Sequence, residues 1–423
     1  MITGTVYLLE ILVLYVFHSL SGSVYVSDGI IWPFIITETI ALYFDIHRLK
    51  LSSELKSIMI LSYFVKVFLL FSDLYLEGII NVFGSGSDTE DFYRRIVNMA
   101  TSITYTHPHA FVRMYGRLFR ITGISRLLAQ YTNLLFSMIS EVVVAKTMLL
   151  LNVDFRRMKQ GLFLYSFLPI NLCMSVILLR ESVVSMFITL GVYFFLRWIT
   201  KNKGILDLVL SFASILLGSL FHSGSIAVAA GEICVLMLYD RKRQMFSFKT
   251  SNILFAAFFI FIFVFLYNNY SNLLFAKFAD IDSIEDIAGG RVHGKSSYAA
   301  YVGDSRTPFR MLIFTIPRII CFLFTPFPWD FRGMKDVIAF LFSSLFYFIV
   351  SVKTIKSIFY MKKQYRRNLL LILLILAFAT TFVFGWGTSN SGTALRHREK
   401  ILSVFILMLS LTESKANKKE TIR

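Results

Sequence analysis

The chain has 423 residues, 56% of them hydrophobic and only 16% charged, with 44 phenylalanines, a mean hydropathy of +0.66 and a formal charge of +17. Soluble domains carry roughly 45–50% apolar and about 25% charged residues, so a single aqueous core is excluded and lipid is the indicated solvent. Nucleic acid as the reason for the positive charge is excluded too, because Lys and Arg are spread over short loops between apolar runs and never form one soluble face.

The first residues, MITGTVYLLEILVLYVFHSL, lack the basic flank and small-residue cleavage site of a signal peptide and predict a retained first helix. A span needs about 20 apolar residues, and runs of that kind predict helices near 3–20, 29–46, 57–76, 127–151, 161–179, 182–200, 204–221, 224–239, 251–268, 336–352, 368–385 and 399–413. The fold class expected is all-α, a polytopic membrane protein of about twelve transmembrane helices. One transmembrane domain over 1–413 and a basic cytoplasmic tail over 414–423 are the economical organisation. Loops rich in Lys and Arg at 47–50, 154–159, 201–203, 240–243 and 353–367 follow every second span. By the positive-inside rule this places both termini in the cytoplasm.

The larger outward segments are then near 77–126, 269–335 and 386–398. Within the first, Arg113, Arg117 and Arg120 alternate with Phe111, Met114 and Leu118, which predicts an amphipathic helix on the outer surface. Segment 311–325 contains Pro317 and Arg318 and is expected to be re-entrant or interfacial. The three cysteines, Cys173, Cys234 and Cys321, sit singly in apolar runs and suggest neither a disulfide frame nor a zinc site. Glycine-rich nucleotide fingerprints, HExxH and paired CxxC are lacking, so neither a cofactor nor a metal is expected.

The outward segments favour Arg over Lys. A guanidinium grips phosphate oxygens through two parallel hydrogen bonds, which an ammonium cannot do. An anionic lipid-linked substrate would account for the choice; pairing with acidic neighbours or phospholipid headgroups is the plainer account. Arg180 and Glu181 lie between two closely joined spans, where an ionisable pair either serves a substrate or simply pairs locally. His222, in a short outward turn, is a proton acceptor or a hydrogen-bonded structural group. Asp88 and Asp91 follow a glycine-serine turn and read as an acceptor-activating base or as helix capping by Ser87 or Asp88. Segment 390–398 opens the last span, and free amides there beside Arg396 and Arg398 would make an anion site, although cations disfavour a helix N-terminus.

The stretches Gly86-Ser87-Asp88 through Tyr93, Leu168-Pro169 through Arg180-Glu181, Phe221-His222-Ser223-Gly224, Pro326-Phe327-Pro328-Trp329 and Asn390 through Arg398, in that order over most of the chain, resemble the Wzy-type repeat-unit polymerases of O-antigen and capsular polysaccharide. The resemblance implies a GT-C-like glycosyltransferase of the bacterial inner membrane. Such an enzyme moves a growing glycan from undecaprenyl pyrophosphate onto a newly flipped repeat unit, inverting, without metal, and beside a chain-length regulator. It implies pyrophosphate binding by Arg180, Arg291, Arg306, Arg310, Arg318, Arg396 and Arg398. Asp88, Asp91, Glu181 and His222 become the catalytic candidates, and Tyr298, Tyr301 and Trp329 would stack on sugars. A lipid-linked oligosaccharide flippase, an O-antigen ligase and a scaffolding membrane protein are the rival readings. A flippase of that kind has two related halves, whereas 269–335 has no counterpart in the first half here.

Overall fold

The computed structural model describes residues 2–76, 79, 82–107, 109–201, 204–247, 250, 254, 257–258, 261, 296–298, 301 and 308–412. Most of the expected span 251–268, together with Arg291, Arg306 and the tail 414–423, lies outside the described residues, as does the side chain of Arg310. In chain order the first described helices are α1 (Ile2–Ser21), α2 (Asp28–His47), α3 (Ser53–Tyr75), α4 (Ser87–Thr101), α5 (Ala110–Thr122), α6 (Arg126–Leu150), α7 (Phe155–Phe167), α8 (Pro169–Val176), α9 (Glu181–Lys201), α10 (Ile205–Phe221) and α11 (Ile226–Leu238). The later ones are α12 (Pro308–Phe324), α13 (Met334–Tyr360), α14 (Gln364–Trp386), α15 (Ser391–Glu399) and α16 (Leu402–Leu411). One short hairpin pairs Tyr239–Asp240 with Met245–Phe246. The chain is all-α, and seven of its described helices, α1, α2, α3, α6, α9, α13 and α14, are long and apolar enough to cross a membrane.

Several of these helices are polar inside and apolar outside. On α3 the buried face carries Ser62, Lys66, Ser72 and Asp73, while Leu61, Phe64, Phe68 and Phe71 point outward. On α2, Glu38 is buried while Ile36, Ile40 and Phe44 are exposed. Water would penalise an exposed apolar stripe of this kind, whereas lipid tails solvate it. The arrangement is that of a multi-pass membrane protein.

The chain divides into two compact units: unit 1 is Met1–Val142 with Asn171–Val183, and unit 2 is Val143–Ile170 with Val184–Arg423. In unit 1, α1 and α2 form an antiparallel hairpin. Its register is set by Asp45, whose carboxylate accepts from Ile2 N at 2.9 Å, Thr3 N at 2.8 Å and Thr3 Oγ1 at 2.7 Å. Negative charge suits the amide-rich start of α1. The predicted amphipathic segment 107–126 is helical as α5, but its apolar face does not lie on lipid. Phe111, Val112, Tyr115 and Phe119 are buried, and α5 packs on α4 and α1. α4 starts at Ser87, one or two residues earlier than a Ser87 or Asp88 cap would place it. Gly86, at φ 149°, is the N-cap, and Thr89 Oγ1 accepts from Gly86 N at 3.1 Å.

In unit 2, close backbone approach decides the packing around α14. A Cβ on Gly231 of α11 would lie 3.1 Å from the Leu376 Cα of α14, and one on Gly385 would lie 3.3 Å from the Arg318 carbonyl oxygen of α12. Segment 311–325 falls, as far as Phe324, within a packed helix, α12, with Cys321, Phe322 and Leu323 buried. Two expected spans are broken. Segment 161–179 is interrupted after Phe167, because Pro169 has no N–H to give and pushes Leu168 out of the helical region, here to ψ 126°. Segment 399–413 is entered by a separate short helix, α15, with a turn at Lys400–Ile401 before α16.

Candidate functional site

The C-terminal end of α14 gathers the functional side chains of unit 2. After Trp386 the chain runs extended through Thr388–Asn390, and residues 296–298 pair with it. Tyr298 N donates to Ser389 O at 3.0 Å, Ser391 N donates to Ser296 O at 3.0 Å, and Ser297 forms an antiparallel bridge with Asn390. Residues 296–298 of the long 269–335 segment are thereby fixed to the 386–398 segment. Asn390 then caps α15, its Oδ1 accepting from Gly392 N at 2.8 Å and Thr393 N at 3.3 Å. These amides are occupied, so the expected anion site at this N-terminus is not free. The expected clash of cations with a helix N-terminus also disappears, since Arg396, His397 and Arg398 stand in the last turn of α15, where the dipole favours them.

Phe384 is the hub of the site. Its ring lies 5.4 Å from His222, 5.3 Å from His397 and 6.0 Å from Phe322, with Lys400 Nζ 5.9 Å from its centre. The two imidazoles meet edge to face at 4.8 Å, and His397 Nδ1 is 3.2 Å from Thr388 Oγ1. One turn along, Arg318 stacks over Trp386 at 4.4 Å, and Trp386 Nε1 donates to Thr315 Oγ1 at 3.2 Å. Arg318 and Lys400 are at most 2% exposed, and His222 and His397 are also buried. Two strong cations and two imidazoles on one aromatic frame can hold a polyanion and move a proton. Gly224 makes this packing possible, because a Cβ there would fall 2.5 Å from the Phe384 ring. Gly224→Ala is expected to destabilise the protein by about 1–3 kcal/mol through overpacking, seen as a lowered midpoint of thermal unfolding in detergent.

Arg398 has a different task from the one expected. It is fully buried, Nη1 donates to Leu323 O at 2.6 Å and reaches Ser344 Oγ at 3.4 Å, and Nη2 donates to Thr325 O. Those carbonyls are the orphan acceptors at the end of α12, which a buried helix must satisfy. Tyr347 OH donates to the Arg398 carbonyl oxygen at 2.6 Å and closes the arrangement. With its fork used in this way, Arg398 holds the frame rather than a phosphate. The aromatic candidates divide in the same manner. Tyr298 is buried with its hydroxyl on Thr388 O at 2.9 Å and has no face open to a sugar. Tyr301 is exposed, donating to Asp330 Oδ1 at 2.7 Å, and Trp329 is exposed and stacked on Phe327 at 5.0 Å.

In unit 1 the Arg180–Glu181 position is carried by a non-helical turn over 177–180. Its carbonyls are met from α6: Asn133 Nδ2 donates to both Ile177 O and Leu179 O at 2.8 Å, and Asn133 Oδ1 accepts from Tyr115 OH at 2.7 Å. Arg180 is half-buried at this turn and Glu181, buried, starts α9. Asp88 is exposed in the first turn of α4. Asp91 pairs with Arg94 at 2.8 Å and Arg95 at 2.7 Å, and hydrogen bonds from these two guanidiniums hold its carboxyl below the usual carboxylate range. A carboxylate stabilised in its charged form is a poor proton acceptor, which leaves Asp91 as the least suited base of the four. Arg396 is half-buried on α15.

Some polar residues that position these elements were not singled out from sequence. Lys400 and His397 lie one and two residues from Arg398 and Glu399 in a stretch read only for its arginines. Asn133 is an amide in the middle of an apolar run, a signal that was available. So was the pair formed across α3 and α6 by Lys66 and Glu141. Lys66 Nζ is 3.0 Å from Glu141 Oε2, both side chains are fully buried, Ser62 Oγ donates to Glu141 at 2.9 Å, and Lys66 donates to Ser137 Oγ at 3.0 Å. Comparison with protein-family models, with curated proteins and with solved structures gives no match in any of the three.

Proposed function

We propose that the chain is a membrane glycosyltransferase that joins lipid-diphosphate-linked oligosaccharide repeat units into O-antigen or capsular polysaccharide at the outer face of the bacterial inner membrane. The observation that carries this reading is the buried group of Arg318, Lys400, His222 and His397 around Phe384 and Trp386. Buried cations are costly to keep in a membrane protein and are functional-site candidates by default. In this reading the chain crosses the bilayer about twelve times, counting the shorter apolar helices, with both termini cytoplasmic.

The reaction asked of the site is one displacement. An acceptor hydroxyl oxygen of the incoming unit bonds to the anomeric carbon of the growing glycan. The bond from that carbon to the pyrophosphate oxygen breaks, and the lipid diphosphate leaves with the electron pair. Arg318 and Lys400 stabilise the charge that develops on the leaving group, with Arg396 as the half-buried guanidinium able to assist. His222 takes the hydroxyl proton. The exposed Trp329 and Tyr301 offer ring faces to the glycan.

The test is the surface polysaccharide of cells carrying Arg318→Gln or Lys400→Gln. Loss of the long-chain ladder is expected, with single repeat units still transferred to the surface and normal protein in the membrane. A full ladder in both variants removes the diphosphate role, and substrate trapped on the cytoplasmic leaflet turns the reading to a flippase.

A further inference from the structure

The α1–α2 hairpin of unit 1 carries two carboxyls that the proposed glycosyl transfer does not use. Asp45 aligns the two helices by clasping the amides of Ile2 and Thr3. Two helical turns further, about 10 Å along the axis, α1 reaches Glu10 and α2, running back, reaches Glu38. A step of two turns returns each helix to the same face, so the side chains meet. Glu38 is fully buried and Glu10 nearly so, and each lies within electrostatic reach of the other.

Neither carboxylate oxygen of Glu38, nor Oε1 of Glu10, has a hydrogen-bond partner among the described residues. Two acceptors therefore face each other without a donor between them. The titratable groups around the pair are Tyr7 on α1, Asp45 on α2, Tyr63 on α3 and Tyr131 on α6. The tyrosine hydroxyls are engaged elsewhere: Tyr7 with Thr132 at 2.5 Å, and Tyr63 with Thr39 at 2.6 Å and Tyr131 at 3.1 Å. None of these groups is a cation.

We infer that Glu10 and Glu38 bind one proton between them, which makes the α1–α2 hairpin a proton-binding site within the membrane-spanning part of unit 1. The shared proton supplies the missing donor and converts two facing acceptors into a charge-assisted O–H···O bond. It also removes one of two like charges, which cannot both persist side by side away from water. Loss of the proton sets two carboxylates against each other and loosens the hairpin between Asp45 and the outer turn. The site is independent of the glycosyl-transfer reading.

The experiment is infrared spectroscopy of the purified full chain in lipid vesicles at neutral pH, in potassium buffer. The carbonyl band of a protonated carboxylic acid is expected in the wild type and lowered in each of Glu10→Gln and Glu38→Gln. A Gln amide can donate to the remaining carboxylate and keep the hairpin closed, and the unchanged helix signal in the same spectra checks folding. Glu232, buried in unit 2 beside Ser211 at 2.7 Å, provides a background carboxyl that neither substitution touches. A band of equal strength in all three proteins overturns the inference, as does a band missing from the wild type. Loss of the wild-type band when sodium replaces potassium at fixed pH also overturns it, by making the pair a metal-cation site.

Discussion

Lys66→Met is expected to destabilise the protein by about 3–5 kcal/mol, the usual consequence of stranding one charge of a buried pair. The residue left behind is Glu141, fully buried on α6, which also accepts from Ser62 Oγ. Glu141→Gln should do comparable damage from the other side, leaving the Lys66 ammonium with Ser137 and a thioether. The double variant Lys66→Met/Glu141→Met should recover most of the loss, because two apolar side chains need no counter-charge and fit a membrane interior. Thermal unfolding in detergent, read by light scattering and by the monodisperse fraction on size exclusion, measures all three. Double-variant stability no better than either single variant would show that the pair does not act as a pair.

The second large effect concerns Arg398. Its removal by Arg398→Met takes the guanidinium donors from the buried carbonyls of Leu323 and Thr325, the latter keeping only Ser344 Oγ at 2.7 Å. Hydrogen bonds to charged groups contribute about 1.5–3 kcal/mol each, so a loss of several kcal/mol and a fall in the amount of folded protein are expected. Arg398→Lys should be intermediate, because a single ammonium cannot span both carbonyls and Ser344. This separates Arg398 from Arg318. Arg318→Gln should leave the protein abundant while ending long-chain product, whereas Arg398→Met should lower abundance in membranes on immunoblots. Normal abundance of Arg398→Met would contradict the structural role.

Much of the helical layout is written in local sequence, because lipid imposes a length and an apolarity that no other solvent imposes. Spans 3–20, 29–46 and 182–200 differ from α1, α2 and α9 by a residue at each end. α3 starts four residues before the expected span 57–76, since its first turn is polar and announced by the Ser52 cap on Leu55 N rather than by hydropathy. Pro169 was present to be read as a break, but an apolar average carried the reading across it. The site was less legible, and for a physical reason. Composition exposes the cations, but not what their hydrogen bonds reach. Arg318 and Arg398 look alike as outward arginines, yet one stacks on an indole and the other ties off a helix end. Asp91 and Glu181 look alike as carboxylates, yet Asp91 is claimed by two neighbours three and four residues away. The Lys66–Glu141 pair required knowing which face of α3 meets α6.

The two glycines at 231 and 385 have a consequence for how the C-terminal end of α14 tolerates change. Because Gly231 of α11 meets the Leu376 Cα with the Leu376 and Ala379 side chains of α14, and Gly385 of α14 meets the Arg318 main chain of α12, the three rods approach as closely as they do only where a side chain is missing. A single methyl group added at either glycine acts as a shim, prising the rods apart by roughly its own size and moving every group they carry at once.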